Sequence, residues 1–197
     1  MEQGGDRDAS ASEVVLDASA SPPDVDVPTE WVLPIRVHLL QSETVPELNS
    51  SLTEEDVYAR FEVVNEIWSQ AGIRFEVESI RRSAAGGEES YAGLMASGAR
   101  QAGSVLGELY DDTELLEGAF NVVVLEDFGA MPPGVYSCRS GVLVIGRYFG
   151  AGHREAPANV LAHELGHALG LEHLCGMGRN LMCADGSSPT ALNQAQI

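Results

Sequence analysis

Residues 163–173 read His-Glu-Leu-Gly-His-Ala-Leu-Gly-Leu-Glu-His, and no other stretch constrains the fold of this 197-residue chain as tightly. His163 and His167 are four apart, so on a helix both imidazoles leave the same side, one turn from each other. That spacing lets two ring nitrogens meet one metal ion. Glu164 lies beside the first of them and reaches a water held by such an ion without ligating it. Gly170 releases the chain from the helix, and His173 returns as a third ligand. Three nitrogen donors leave a fourth position open, the arrangement of a catalytic rather than a closed structural zinc site. From the chain's own composition, three His, one Glu and one Gly at these offsets arise by chance about 3 times in 100,000.

The rest of the chain reads as a framework for that segment. Val32–Leu40 is rich in β-branched and apolar residues and is expected to be a strand, with Arg36 and His38 on one face. Thr53 followed by Asp56 reads as a helix start, and Val57, Phe61, Val64, Ile67 and Trp68 recur at helical spacing up to Gly72. Ile73–Ile80 alternates as a half-buried strand, residues 81–90 read as a polar loop, and residues 91–116 as short helices interrupted by glycines. Ala119–Leu125 is a near-continuous apolar strand, Val135–Cys138 a short one and Val142–Ile145 another. Pro157 opens a helix that runs to about Leu169. The order β-α-β-(α)-β-β-β-α gives an α+β fold with a mixed sheet.

Charge excludes several roles. The chain carries 30 Asp+Glu against 11 basic residues, all arginine, for a net −19. Such a surface repels phosphate backbones and anionic lipid, so no nucleic-acid partner is expected, and no run of 18 apolar residues spans a membrane. Residues 1–30 hold eight acids and one base among Ser/Ala runs and Pro22-Pro23. They read as an acidic disordered tail, linker or inhibitory pro-segment, with one domain over residues 31–197. No apolar h-region follows Met1, which leaves a cytosolic protein or a secreted one whose signal is gone; secretion is our expectation. The three cysteines cannot all pair within one chain. Cys175 and Cys183 bracket the loop after His173, as a disulfide or as two small buried thiols, and Cys138 reads as a packed thiol.

Nine residues past His173 stands Met182, in Asn180-Leu-Met-Cys183. HExxHxxGxxH followed by such a methionine resembles the metzincin zinc peptidases. The resemblance spans roughly residues 31–197, of which about 163–183 carry the motif. It implies a twisted, mostly parallel five-stranded sheet, an active-site helix and a Met-turn forming an apolar floor under the metal. It implies one catalytic zinc on His163, His167 and His173, with Glu164 as general base, in an endopeptidase for protein or peptide substrates that acts as a monomer. An antiparallel edge strand, here Val135, Tyr136 and Ser137, would take the substrate as an added strand. Asn159, just before the motif, would face the specificity pocket, and Ser188–Gln194 would begin a final helix. Departures leave the subfamily open: the tail has no cysteine for a matrixin-type switch, no tyrosine closely follows Met182, and Leu174-Cys175 differs from matrixins. Calcium, which many metzincins bind, has no loop pattern here; Glu88-Glu89 and Asp111-Asp112 read as solvated charge. His38 and His153 are not expected to be ligands. Two other functions stay open: a metzincin-like module that binds a partner without turnover, and a zinc-dependent amidase acting on a non-protein amide.

Overall fold

A computed structural model of the chain describes residues 29–97, 107–110, 115, 117–127, 134–137, 141–146, 156–175, 180–183, 190–194 and 196–197. Cys138, His153, Asp111-Asp112 and the tail before Thr29 lie outside the described residues.

The apolar segments form one sheet. Its strands are β1 (Trp31–Gln41), β2 (Ile73–Ala84), β3 (Phe120–Leu125), β4 (Gly134–Ser137) and β5 (Val142–Gly146), in the spatial order β2-β1-β3-β5-β4. The first four positions pair in parallel, and β4 closes one edge antiparallel to β5. Alternation divides β1 between two cores. Ile35, Val37 and Leu39 face the larger one, and Leu40 joins Tyr91 and Leu109 on the other side. Val122 and Val124 face the first core and Val123 and Leu125 the second, which accounts for the apolar run Val122–Leu125 of β3.

Among the described residues three α-helices accompany the sheet: α1 (Glu54–Trp68), α2 (Glu88–Ser97) and α3 (Ala156–Ala168). The start of α1 is a full capping box. The Thr53 hydroxyl accepts from the Asp56 N–H at 3.1 Å, and the Asp56 carboxylate accepts from the Thr53 N–H at 2.9 Å. Val57, Phe61, Val64, Ile67 and Trp68 are buried against the sheet and α3. The chain leaves α1 through a single 3-10 turn to Gly72, whose φ of 64° is left-handed. A Cβ there would press on the Thr29 carbonyl at 3.3 Å, and the Gly72 carbonyl itself accepts from the Trp31 N–H at 2.7 Å. Asn65 then fastens α1 to β2 by accepting from the Phe75 N–H and donating to the Phe75 carbonyl.

Three expectations need correction. Residues 81–84 continue β2 rather than forming a loop, because Arg81–Ala84 stay in register with His38–Gln41 and Arg82 donates to the carbonyls of Ser50 and Leu52. Polar side chains thus find partners along a strand that composition alone marks as a turn. Residues 88–97 form one helix through Gly93, anchored by the fully buried Tyr91, whose hydroxyl donates to the Asp127 carbonyl. Glu88 and Glu89 sit in its first turn, where Glu88 accepts from the Thr44 hydroxyl. Finally, residues 190–194 are not helical. Backbone groups that a helix would use are already engaged: the Thr190 carbonyl accepts from Gln70, the Ala191 carbonyl from the Leu181 N–H, and the Leu192 N–H donates to Gln70.

Candidate metal centre

The helix α3 brings His163 and His167 to one face, and its ending brings back His173. The Leu171 N–H donates to the Gly166 carbonyl at 2.9 Å and the Gly170 N–H to the His167 carbonyl at 3.0 Å. With Gly170 at φ 90°, these two bonds form a Schellman motif. Gly170 occupies its left-handed position, so the motif's glycine is explained by the reversal that swings His173 under the helix.

The three Nε2 atoms converge. His163 to His173 is 3.2 Å, and His167 lies 3.1 Å from each of the others. The Nδ1 atoms fix what those nitrogens present. His163 Nδ1 lies 2.7 Å from the Leu181 carbonyl and His167 Nδ1 lies 2.8 Å from the Leu171 carbonyl. A carbonyl only accepts, so each Nδ1 carries its proton and each neutral ring turns a bare Nε2 lone pair inward. Burial pushes the pKa of both rings down, outweighing the carbonyl bonds that push them up; nearby imidazoles lower both further. Lone pairs facing each other at 3.1 Å repel unless a cation lies among them. An ion about 2.0–2.1 Å from each imidazole nitrogen in tetrahedral geometry needs those nitrogens about 3.3 Å apart, so the donor set fits one metal ion. Among the described residues this is the one cluster of three His, Cys, Asp or Glu groups able to hold an ion.

Glu164, the next residue along α3 after His163, is 7% exposed. Burial pushes its carboxyl up to about 7, against the opposing effect of a hydrogen bond from the Tyr136 backbone N–H. That bond ties the carboxylate to β4. Val135, Tyr136 and Ser137 are half-buried on this edge strand, and among the described residues β4 pairs with β5 alone. Asn159 is buried in α3, one turn before His163. His38 is buried on β1 beside Ser83 and Asn121, at 3.2 and 3.3 Å, and is not part of the cluster.

Beneath the histidines, Asn180–Cys183 forms a turn. The Cys183 N–H donates to the Asn180 carbonyl, and the Asn180 side chain accepts from the Met182 N–H at 2.9 Å. Met182 is fully buried against α3; a Cβ on Gly166 would run into its sulfur and lie 3.1 Å from its Cε. Trp68 closes the same space and donates its indole N–H to the Ala162 carbonyl at 3.2 Å. The turn is held to the segment of His173 by the Leu174 N–H on the Met182 carbonyl and by a Cys175–Cys183 disulfide, Cα atoms 4.7 Å apart.

Sequence reasoning missed the groups that support this turn. Gln196 reaches Asn180 from near the end of the chain, accepting from its Nδ2 at 2.6 Å and donating to its Oδ1 at 3.3 Å. An Asn two residues before a turn methionine is a readable Asx-turn signal; Gln196 has none, and neither does the indole of Trp68.

No family model matches the chain, and no curated protein matches it. Among solved structures it is similar to mature mirolysin of Tannerella forsythia in complex with a cleaved peptide. That likeness has 15% identity and a TM-score of 0.47, over 78% of this chain and 68% of that one. It is also similar to metalloproteinase-II from Bacteroides fragilis, with 15% identity and a TM-score of 0.47, over 84% of this chain and 50% of that one.

Proposed function

We propose that residues 31–197 form a zinc-dependent endopeptidase domain whose metal is held by His163, His167 and His173. The convergence of three Nε2 atoms, two of them bared by carbonyl bonds at Nδ1, carries this reading. Zinc on three imidazoles acidifies water toward neutral pH and polarises a carbonyl. Glu164 supplies the proton chemistry: its carboxylate takes a proton from the attacking water and returns it to the leaving amine nitrogen. Its burial keeps that transfer out of bulk solvent, and the Tyr136 N–H orients it. An extended peptide lies along the side of β4 away from β5, at Val135, Tyr136 and Ser137, by strand addition. Met182 is the Met-turn residue, an apolar support under the ligand helix. A disulfide fits secretion into an oxidising compartment, and no described helix is long and apolar enough to cross a membrane.

Digestion of a diverse peptide library, with and without a chelator, tests this reading. The expected result is cleavage that stops on chelation and returns with added zinc. Zinc binding with no cleavage would instead favour a binding module or an amidase for non-protein amides.

A further inference from the structure

Taking the three histidines as the ligands, the set is unevenly supported. His163 and His167 are built into α3, and each is pinned a second time through Nδ1. His173 lies in segment 171–175, which has no regular secondary structure, and it is exposed. On its N-terminal side it is held by the Schellman bonds at Gly170 and Leu171. On its C-terminal side stand the Leu174 bond to the Met182 carbonyl and, one residue further, the Cys175–Cys183 bridge. The bridge ends on the same turn whose Leu181 carbonyl orients His163. It therefore couples the position of the third ligand to that of the first.

We propose that the Cys175–Cys183 disulfide is a positioning element for His173, so that the metal affinity of the site depends on the thiol–disulfide state of this pair. This rests on the metal-site reading above and adds a means of regulating it. Cys175 is exposed and Cys183 buried, so one sulfur of the bridge lies on a solvent-facing residue. A reducing dithiol supplies the two electrons. Its thiolate attacks one sulfur of the bridge, the S–S bond breaks to a mixed disulfide and a thiolate that takes up a proton, and its second thiol then displaces the other cysteine. The protein ends with two thiols and the dithiol as a disulfide. Beyond Leu171, His173 then keeps the Leu174 bond but loses the covalent tie, and the trio of nitrogens loses preorganisation.

The test is zinc affinity by competition with a chromophoric chelator, on the full chain in a Cys138→Ser background. Three forms are compared well below their unfolding temperatures: the oxidised protein, the same protein reduced and alkylated, and a Cys175→Ser/Cys183→Ser variant. Both bridge-free forms are expected to bind zinc about 10- to 100-fold more weakly, the range found when groups that orient metal ligands are lost. Thr53→Ala removes the cap at the other end of α1 from Trp68; it is expected to lower thermal stability without moving zinc affinity. Equal affinity in oxidised and bridge-free protein would overturn the proposal, as would a Thr53→Ala loss as large as theirs. Absence of zinc binding in the oxidised protein would instead overturn the metal-site reading itself.

Discussion

Glu164→Gln is expected to keep one zinc per chain and to lose peptide hydrolysis by about 10²- to 10⁴-fold, the contribution of a positioned general base. The amide has the shape of the carboxyl but does not take up a proton near neutral pH. The loss falls on kcat, since Glu164 is not among the groups assigned to hold the metal or the peptide backbone. Stability should move in the opposite sense. Burial raises the carboxyl from its ordinary 4.5 to about 7, so the metal-free folded state holds a proton that the unfolded chain has released. Between those pH values the folded state binds more protons, and its stability falls as pH rises. The group's favourable effect is therefore complete below about pH 4.5 and is lost as pH passes 7. Metal-free Glu164→Gln lacks that decline, so it should match the parent in acid and unfold at a higher temperature at pH 8. Hydrolysis at the parental rate, or a variant less stable at pH 8, would count against the role given to this carboxyl.

Gly166→Ala should destabilise the protein although it places the best helix former inside a helix. In an open helical site the exchange stabilises by about 0.5–1 kcal/mol. Here the new methyl meets the sulfur of Met182, which is fully buried, with the Trp68 ring 3.5 Å away. Overpacking of this kind costs about 1–3 kcal/mol, which wins. The net loss is about 1–2 kcal/mol, a fall of about 2–8 °C in Tm for a chain of this size. The displaced Met182 belongs to the turn that bonds His163, so zinc affinity should fall with it. In a Met182→Ala background the cost of Gly166→Ala should largely vanish, a coupling that a double-mutant cycle reads directly. A rise in Tm would contradict the packing of Met182 against α3.

The convergence of the three histidines was legible because it is local. His163, Glu164, His167, Gly170 and His173 lie within one helix and its C-terminal turn, so spacing alone determines which groups meet. The same holds for Thr53 and Asp56, a capping box contained in four residues. What the chain conceals is contact over distance. Trp68 and Ala162 are 94 residues apart and Asn180 and Gln196 are 16 apart, and neither pairing leaves a periodic trace. The polar end of β2 hid for a related reason. Arg82 is at home in a strand only because the carbonyls of Ser50 and Leu52 happen to lie beside it. The expected final helix failed because Gln70, in the 3-10 turn after α1, had already claimed its backbone groups. Cys175 and Cys183 lay between these cases: their spacing allowed a bridge, and the turn at Asn180–Cys183 brings their Cα atoms within 4.7 Å.

The central claim is that three imidazoles of this chain hold one zinc ion. X-ray absorption at the zinc edge, on the full chain loaded with one equivalent, tests it most directly. The account predicts a first shell of nitrogen and oxygen at about 2.0–2.1 Å with the outer-shell scattering of three imidazole rings, and no sulfur near 2.3 Å. A sulfur neighbour, fewer imidazoles, or a protein that retains no zinc would contradict it.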